Sequence, residues 1–381
     1  MNLSDYFEIG STLELRENCG AQQVGGSLWD ANAEFPRWQE ADLVIVGFPE
    51  NRSIEEFPAS SDAPNEIRRY LYRLATPFMP FAVADLGNIV LQGDAEESLH
   101  AMAAALTPIF KHNKPVLLLG GTQEATVGLC LAMAEGESLT RYVGIDARAD
   151  LFGQTPPDSF HYDMLTRLPV GIAHFALVGL QQHYMTFDER EALRRINAEI
   201  VRLGVLQTDV RQAEPPLRLA HLVSFDMSAV RQADAPGVRF PSPTGLSVEQ
   251  ACQIARFAGM GYDVRAFALC ETLPRLDTDG RTAHAAALIA WYFIEGWYHR
   301  PMDRPAADRH NLLKYVVSMT GPVKEVVFYK NPQTDRWWME VPAYTGAERG
   351  RAKLVPCTER DYQTALRDEA PDKWWREYGA L

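Results

Sequence analysis

Cysteine is scarce in this chain. Cys19, Cys130, Cys252, Cys270 and Cys357 are odd in number and scattered, and no two form a CxxC pair. That excludes a disulfide framework or a closely spaced structural zinc site, and it predicts a reducing, cytoplasmic location. Positive charge is also in deficit: 37 Lys and Arg against 50 Asp and Glu leave a formal net charge of −13. With no basic run to offset it, the chain repels phosphate backbones and anionic lipid, so neither nucleic acid nor a membrane is expected as partner. Long apolar runs are missing, since nowhere do about 18 uncharged apolar residues follow one another. The opening MNLSDYFEIG has neither the basic nor the apolar stretch of a secretory signal.

What is present is ordinary globular material, 46% hydrophobic and 23% charged, and 381 residues allow one large domain with additions or two modest ones. Short apolar runs recur at residues 42–48 (DLVIVGF), 115–120 (PVLLLG), 141–146 (RYVGID), 172–179 (IAHFALVG), 221–226 (HLVSFD) and 264–271 (VRAFALCE). Their apolarity is continuous, not alternating, which marks strands buried on both faces, as in a parallel sheet. Between them lie helix-like stretches: one opened by Asp62, Pro64 and Glu66, and others over 96–111, 188–200, 247–260 and 280–298. Alternating strand and helix predicts a three-layer α/β/α sandwich with a mostly parallel sheet. After about residue 300 the pattern changes to two strands, 324–330 and 336–341, and a tryptophan-rich tail. The expected division is an N-terminal segment (1–38), an α/β domain (39–302) and a C-terminal extension (303–381) packed on the core.

In an open parallel sheet ligands bind beyond the carboxyl ends of the strands. Four such ends read Gly120-Gly121-Thr122-Gln123, Asp146-Ala147-Arg148-Ala149-Asp150, Ser224-Phe225-Asp226-Met227-Ser228 and Cys270-Glu271-Thr272. Asp146, Asp150, Asp226 and Glu271 therefore converge on one rim. Carboxylates crowded in a cleft need a cation, shared protons or solvent, and a hard divalent metal is the usual answer. The Gly120-Gly121 turn lacks the Lys and Ser/Thr of a phosphate loop. Cys270 ends an apolar strand and reads as a small buried hydrophobe. His112, His174, His183, His221 and His284 share no metal-ligand spacing.

The order of these segments resembles the ureohydrolase family of arginase, agmatinase and formimidoylglutamase, which carries GGDH, DAHxD and SxDxDxxDPxxAPG motifs. Gly120-Gly121 matches the first, Asp146-Ala147-x-Ala149-Asp150 the second, and Ser224-Phe225-Asp226 with Ala235-Pro236-Gly237 the third. Pro243-Thr244-Gly245-Leu246-Ser247, Gly47-Phe48-Pro49 and Ala63-Pro64 through Ile67-Arg68 extend the similarity over residues 40 to 300. The resemblance implies hydrolysis of a guanidinium or amidine carbon with two manganese ions, an arginase-like fold and a homo-oligomer. It also puts Glu271 where the family has a substrate-facing glutamate and His161 near its proton-shuttling histidine.

The departures fall on the ligands. Gln123 and Arg148 stand at the two histidine positions and Ser228 at that of the fourth aspartate. Only Asp146, Asp150 and Asp226 remain, so the metal position that relied on residues 148 and 228 is expected to be empty. A guanidinium bridges carboxylates well, and Arg148 is expected to replace that metal and neutralise the three aspartates. On this reading no cofactor is present, or else one Mn or Mg ion held by Asp146, Asp150, Asp226 and the amide oxygen of Gln123. The first expected function is a degenerate, non-hydrolytic member that binds a small ligand or partner. The alternative is an active hydrolase of a linear, formimidoylglutamate-like amidine, in which Asp150 or Asp226 orients water, His161 carries protons and Glu271 faces the substrate. A third places function in the tail, with Trp337-Trp338 and Trp374-Trp375 as a candidate interface.

Overall fold

The computed structural model describes residues 2–53, 61–76, 81–134, 139–166, 171–301, 303–304, 309–342, 344–345, 348–349 and 352–379. Nine strands form one sheet: β1 (Phe7–Glu8), β2 (Leu43–Gly47), β3 (Val83–Ile89), β4 (Val116–Leu119), β5 (Leu139–Ile145), β6 (Gly171–Leu180), β7 (Glu199–Arg202), β8 (Leu222–Asp226) and β9 (Ala266–Cys270). Their order is β1-β3-β2-β4-β9-β8-β5-β6-β7, and every pairing is parallel except that of β1 with β3. Alternate residues of each strand enter opposite cores. Leu43, Ile45, Leu117, Leu119, Val223 and Phe267 join one cluster, while Val44, Val46, Val116, Leu118, Ala266 and Ala268 join the other. Both faces are covered by helices, which is why the runs read as continuously apolar.

The six apolar runs all become strands. Three strands were not legible. β1 is two residues long, β3 is interrupted by Asp85, Gly87 and Asn88, and β7 lies in the stretch expected to be helical over 188–200. There the helix stops at Arg195; Asn197 takes a positive φ of 55°, and the chain turns back into the sheet at Glu199.

The polar residues of β3 are explained by one buried cation. Arg68, on the helix Ala63–Leu71, is fully buried and grips Asp85 through Nε (2.9 Å) and Nη2 (2.8 Å). It also donates to Asn88 Oδ1 (2.5 Å) and the Gly87 carbonyl (2.9 Å), and Tyr72 Oη adds a bond to Asp85 (2.7 Å). Gly47 leaves room for this: a Cβ there would lie 1.9 Å from Asn88 Oδ1 and 2.7 Å from Arg68 Nη1.

The C-terminal extension carries a second, antiparallel sheet. It orders β10 (Leu313–Ser318), β11 (Glu325–Lys330), β12 (Trp337–Val341) and β15 (Lys353–Cys357), with a short pair β13 (Tyr344–Thr345) and β14 (Glu348–Arg349) beside it. Adjacent tryptophans face opposite ways, as a strand requires. Trp337 enters the extension's own core with Trp374, whereas Trp338 packs with Tyr262 and Leu219 of the α/β domain. Arg218, also buried, seals the join: it pairs with Glu214, donates to the Trp337 carbonyl (2.8 Å) and lies 4.7 Å over the Trp338 ring. Arg336 reaches back to Glu214 (3.1 Å) and Asp303 (3.0 Å). On the far edge, Lys373 (2.9 Å) and Arg376 (3.2 Å) hold Glu199 of β7. Burial alone would raise the Glu199 carboxyl, but Lys373, His174 and Arg376 outweigh it and keep it well below the usual range. Of the paired tryptophans only Trp375 is exposed, at 43%.

Replacing Arg68 with Ala leaves the buried Asp85 carboxyl without its main partner. The expected loss is about 3–5 kcal/mol of stability. Urea unfolding of the purified variant measures it, and a loss under about 1 kcal/mol would show that the network does not hold β3.

Candidate metal and ligand site

Strands β4, β9, β8 and β5 are neighbours and run parallel, so their carboxyl ends deliver the four informative segments to one rim. The turn after β4 is tight: Gly120 (φ 81°) and Gly121 (φ 80°) are left-handed, and a Cβ on Gly120 would meet Pro64 at 2.7 Å. Two acidic residues share that backbone region, Asp150 at φ 42° and Glu271 at φ 63°. Such positions cost a non-glycine residue stability and concentrate at functional sites. The Glu271 amide donates to the Gly121 carbonyl (3.0 Å), while its Oε1 accepts from the Gln123 amide (2.9 Å), so the β4 and β9 ends are locked together.

Asp146, Asp150 and Asp226 each bring an oxygen within 4.8 Å of the others. Asp146 Oδ1 accepts from the Arg148 amide (2.8 Å), but its Oδ2 is buried with no partner among the described residues. Asp226 Oδ1 accepts from the Ser228 amide (2.5 Å). Above them lies a cavity with ≈ 20 Å³ open to the centre of a water-sized sphere, bordered by Gln123, Arg148, Asp150, Asp226, Ser228 and Glu271. That is room for about one water or ion. Burial pushes all four carboxyls up, and repulsion from neighbouring carboxylates adds to it at Asp146, Asp150 and Glu271, while at Asp226 the Ser228 bonds and Arg148 work against it. Asp150 rises to about 7 and Asp226 to about 6, and Asp146 and Glu271 lie well above their ordinary values. Hard oxygen donors, an orphaned buried oxygen and crowded negative charge fit a divalent cation.

Three of the expected residues are placed differently from the sequence reading. The Arg148 guanidinium does not bridge the aspartates: it lies over the rings of Tyr184 (4.4 Å) and Phe240 (4.6 Å) and makes no ion pair among the described residues. Its length carries the charge past the aspartates to the aromatic rim. Gln123 Oε1 accepts from Thr126 Oγ1 (3.4 Å), and the Gln123 side chain favours the ionised form of Asp226. It steadies a carboxylate instead of offering a ligand oxygen. His161 is fully buried behind the loop and does not border the cavity.

The role of His161 is positional. Its Nδ1–H donates to the Ala149 carbonyl (2.7 Å), its backbone amide to the Asp150 carbonyl (3.2 Å), and Nε2 accepts from Tyr142 Oη (2.8 Å). Ser224 Oγ completes the chain at 2.6 Å from Tyr142 Oη. Burial lowers the histidine's pKa to about 3, so the ring is neutral and clamps the Asp146–Asp150 loop. Cys270 is buried, and its thiol is pushed well up by that burial, which makes it inert.

Sequence reasoning passed over Tyr184, Asp158, Arg239 and Phe240. Tyr184 was within reach, because it follows β6, a fifth parallel strand ending on the same rim. Arg239-Phe240 directly follows the Ala235–Val238 segment but carries no spacing signal of its own.

Comparison with known proteins agrees with this architecture. Residues 41–295 match the model of the arginase family. Formimidoylglutamase of Halobacterium salinarum is 27% identical over 271 residues, covering 67% of this chain and 88% of the relative. The mitochondrial guanidino acid hydrolase of Homo sapiens is 26% identical over 275 residues, covering 66% and 77%. The crystal structure of Trypanosoma cruzi formiminoglutamase with Mn2+ has the same fold, with a TM-score of 0.64 at 19% identity over 73% of this chain and 99% of that one. The expectation of a pocket without a cofactor is thereby overturned. A neighbour in fold is a manganese protein, and the aspartates present here still converge as a ligand set. The four motif segments, their meeting at one rim and the match over most of the sheet lead to one conclusion: the chain belongs to the arginase family.

Proposed function

We propose that this chain hydrolyses a C–N bond of a linear amidine or guanidino compound, using a divalent cation, manganese first, held by Asp146, Asp150 and Asp226. The observation that carries this reading is the buried Asp146 Oδ2, without a hydrogen-bond donor among the described residues, beside two further aspartate oxygens, one of them on a strained backbone. The names of the relatives, formimidoylglutamase and guanidino acid hydrolase, support the choice of an amidine or guanidino group. A cation bound there supplies Lewis-acid polarisation and lowers the pKa of water. The chain's own residues do the rest. Glu271, anchored through Oε1 by Gln123, leaves Oε2 for a substrate N–H. The Ser228 amide holds Asp226 in place, and His161 fixes the backbone that carries Asp150. The five cysteines are free, which suits a cytoplasmic protein.

A second reading, a non-hydrolytic binder of the same ligands, is favoured by Arg148 and Ser228 at two of the family's ligand positions. Turnover decides between them. The manganese-loaded chain is expected to release urea from guanidino acids or formamide from formimidoyl amino acids, and Asp150→Asn to lower kcat by at least about 10²-fold. No release above the buffer rate from either class would replace the hydrolase with the binder.

Metal binding gives an independent check. Because the metal-free carboxyls hold protons up to about pH 6 to about pH 7, a cation must displace them, and its affinity grows as pH rises. Titration calorimetry with MnCl2 is expected to show binding at least about tenfold tighter at about pH 8 than at about pH 5.5, with proton release at the lower pH. Affinity independent of pH, or unchanged in Asp226→Asn, would count against the aspartate site.

A further inference from the structure

We propose that Arg148 is the anchor for an anionic group of the ligand, a carboxylate in the first instance, next to the aspartate site. The proposal rests on the hydrolase reading for the reacting group and not for the anion. Arg148 borders the same cavity as Asp150, Asp226 and Glu271, yet no carboxylate lies within ion-pair distance of its guanidinium among the described residues. The two rings engage the guanidinium by cation–π contact and leave its N–H groups without an acceptor among those residues. A planar fork of donors matches a carboxylate in bidentate fashion.

The surroundings of Arg148 are built in advance. Tyr184 Oη donates to Ser242 Oγ (2.9 Å), and Thr244 Oγ1 donates to Gln181 Oε1 (2.6 Å). The Gln181 amide in turn donates to the Ala147 carbonyl (3.0 Å), one residue before Arg148. The ring and the arginine are thus tied to the loop that carries Asp146 and Asp150. Arg239, the neighbouring cation, is already committed to Asp158 (2.9 Å) and Thr155 (3.2 Å) and contacts the other side of the site through Phe240 (4.7 Å). It adds positive field and steadies Phe240, but among the described residues Arg148 is the cavity cation with no carboxylate at ion-pair distance. A long side chain held against two rings gives up little further freedom on binding.

The test uses two probes that differ only in a carboxylate, 4-guanidinobutanoate and butylguanidine, titrated calorimetrically into manganese-loaded wild type, Arg148→Met and Arg148→Lys. Wild type is expected to bind the acid at least about tenfold more tightly. Arg148→Met abolishes the preference, and Arg148→Lys, which keeps the charge but not the fork, retains part of it. If Arg148→Met loses its fold by circular dichroism, a preference at least about threefold smaller in Arg148→Lys carries the same conclusion. Equal affinities in wild type, no binding of either probe at millimolar concentration, or an unchanged preference in folded variants overturns the proposal. So does a variant whose only change is tighter Mn2+ binding, because Arg148 would then act on the ions alone. Arginine-dependent preference with neither urea release from guanidino acids nor formamide release from formimidoyl amino acids defeats the hydrolase reading and leaves the anchor standing; urea release from both probes at similar KM does the reverse.

Discussion

Everything at the rim answers to one electrostatic constraint: Asp150, Asp226 and Glu271 border a cavity that admits about one small particle, and Asp146 is clustered with the first two. In the metal-free chain burial raises their pKa values, with repulsion adding at Asp146, Asp150 and Glu271, so the folded state takes up protons that the unfolded state releases. The sign is unfavourable near neutrality. Groups raised in the folded state contribute fully below about pH 4 and progressively lose that contribution as pH climbs through about 6 and about 7. The arrangement is therefore held by other bonds, chiefly the Arg148 and Ser228 amides, the Glu271–Gln123 tie and the buried His161 clamp. A bound cation reverses the balance, converting the repulsion into ligation.

Two buried arginines do comparable work elsewhere with opposite charge. Arg68 turns the polar residues of β3 from a liability into a register device, and Arg218 joins the α/β domain to its extension. Both are paired and hydrogen-bonded as a buried charge must be. Arg148 differs from both in having no acid within ion-pair distance among the described residues, although its charge is felt by Asp150 and Asp226 across the cavity.

Much of this was legible in the chain itself. Strands with unbroken apolar runs declared themselves, and parallel topology then placed Asp146, Asp150, Asp226 and Glu271 together. What stayed hidden depended on distance along a side chain. Arg148 sits at a ligand position by sequence, but its guanidinium is carried to Tyr184 and Phe240; nothing in the spacing distinguishes those ends. Gln123 offers an oxygen or an amide to the site depending on Thr126, one helical turn on. His161 occupies a catalytic position in the resemblance, and only burial shows that both ring nitrogens are spent on scaffold bonds. β3 and β7 escaped for a related reason: their polar residues are satisfied by partners far off in sequence.

The clasp on Glu199 carries a consequence for how the protein tolerates change. β7 closes one margin of the nine-stranded sheet, and its carboxylate is buried against Lys373 and Arg376 of the terminal helix Asp372–Gly379. A shortened chain that ended before this helix would keep every residue of the sheet and of the rim. It would nevertheless strand an anion in a low-dielectric margin, without the two cations that face it. The last helix is thus a lock on the sheet's margin, and Glu199 is inherited or lost together with it.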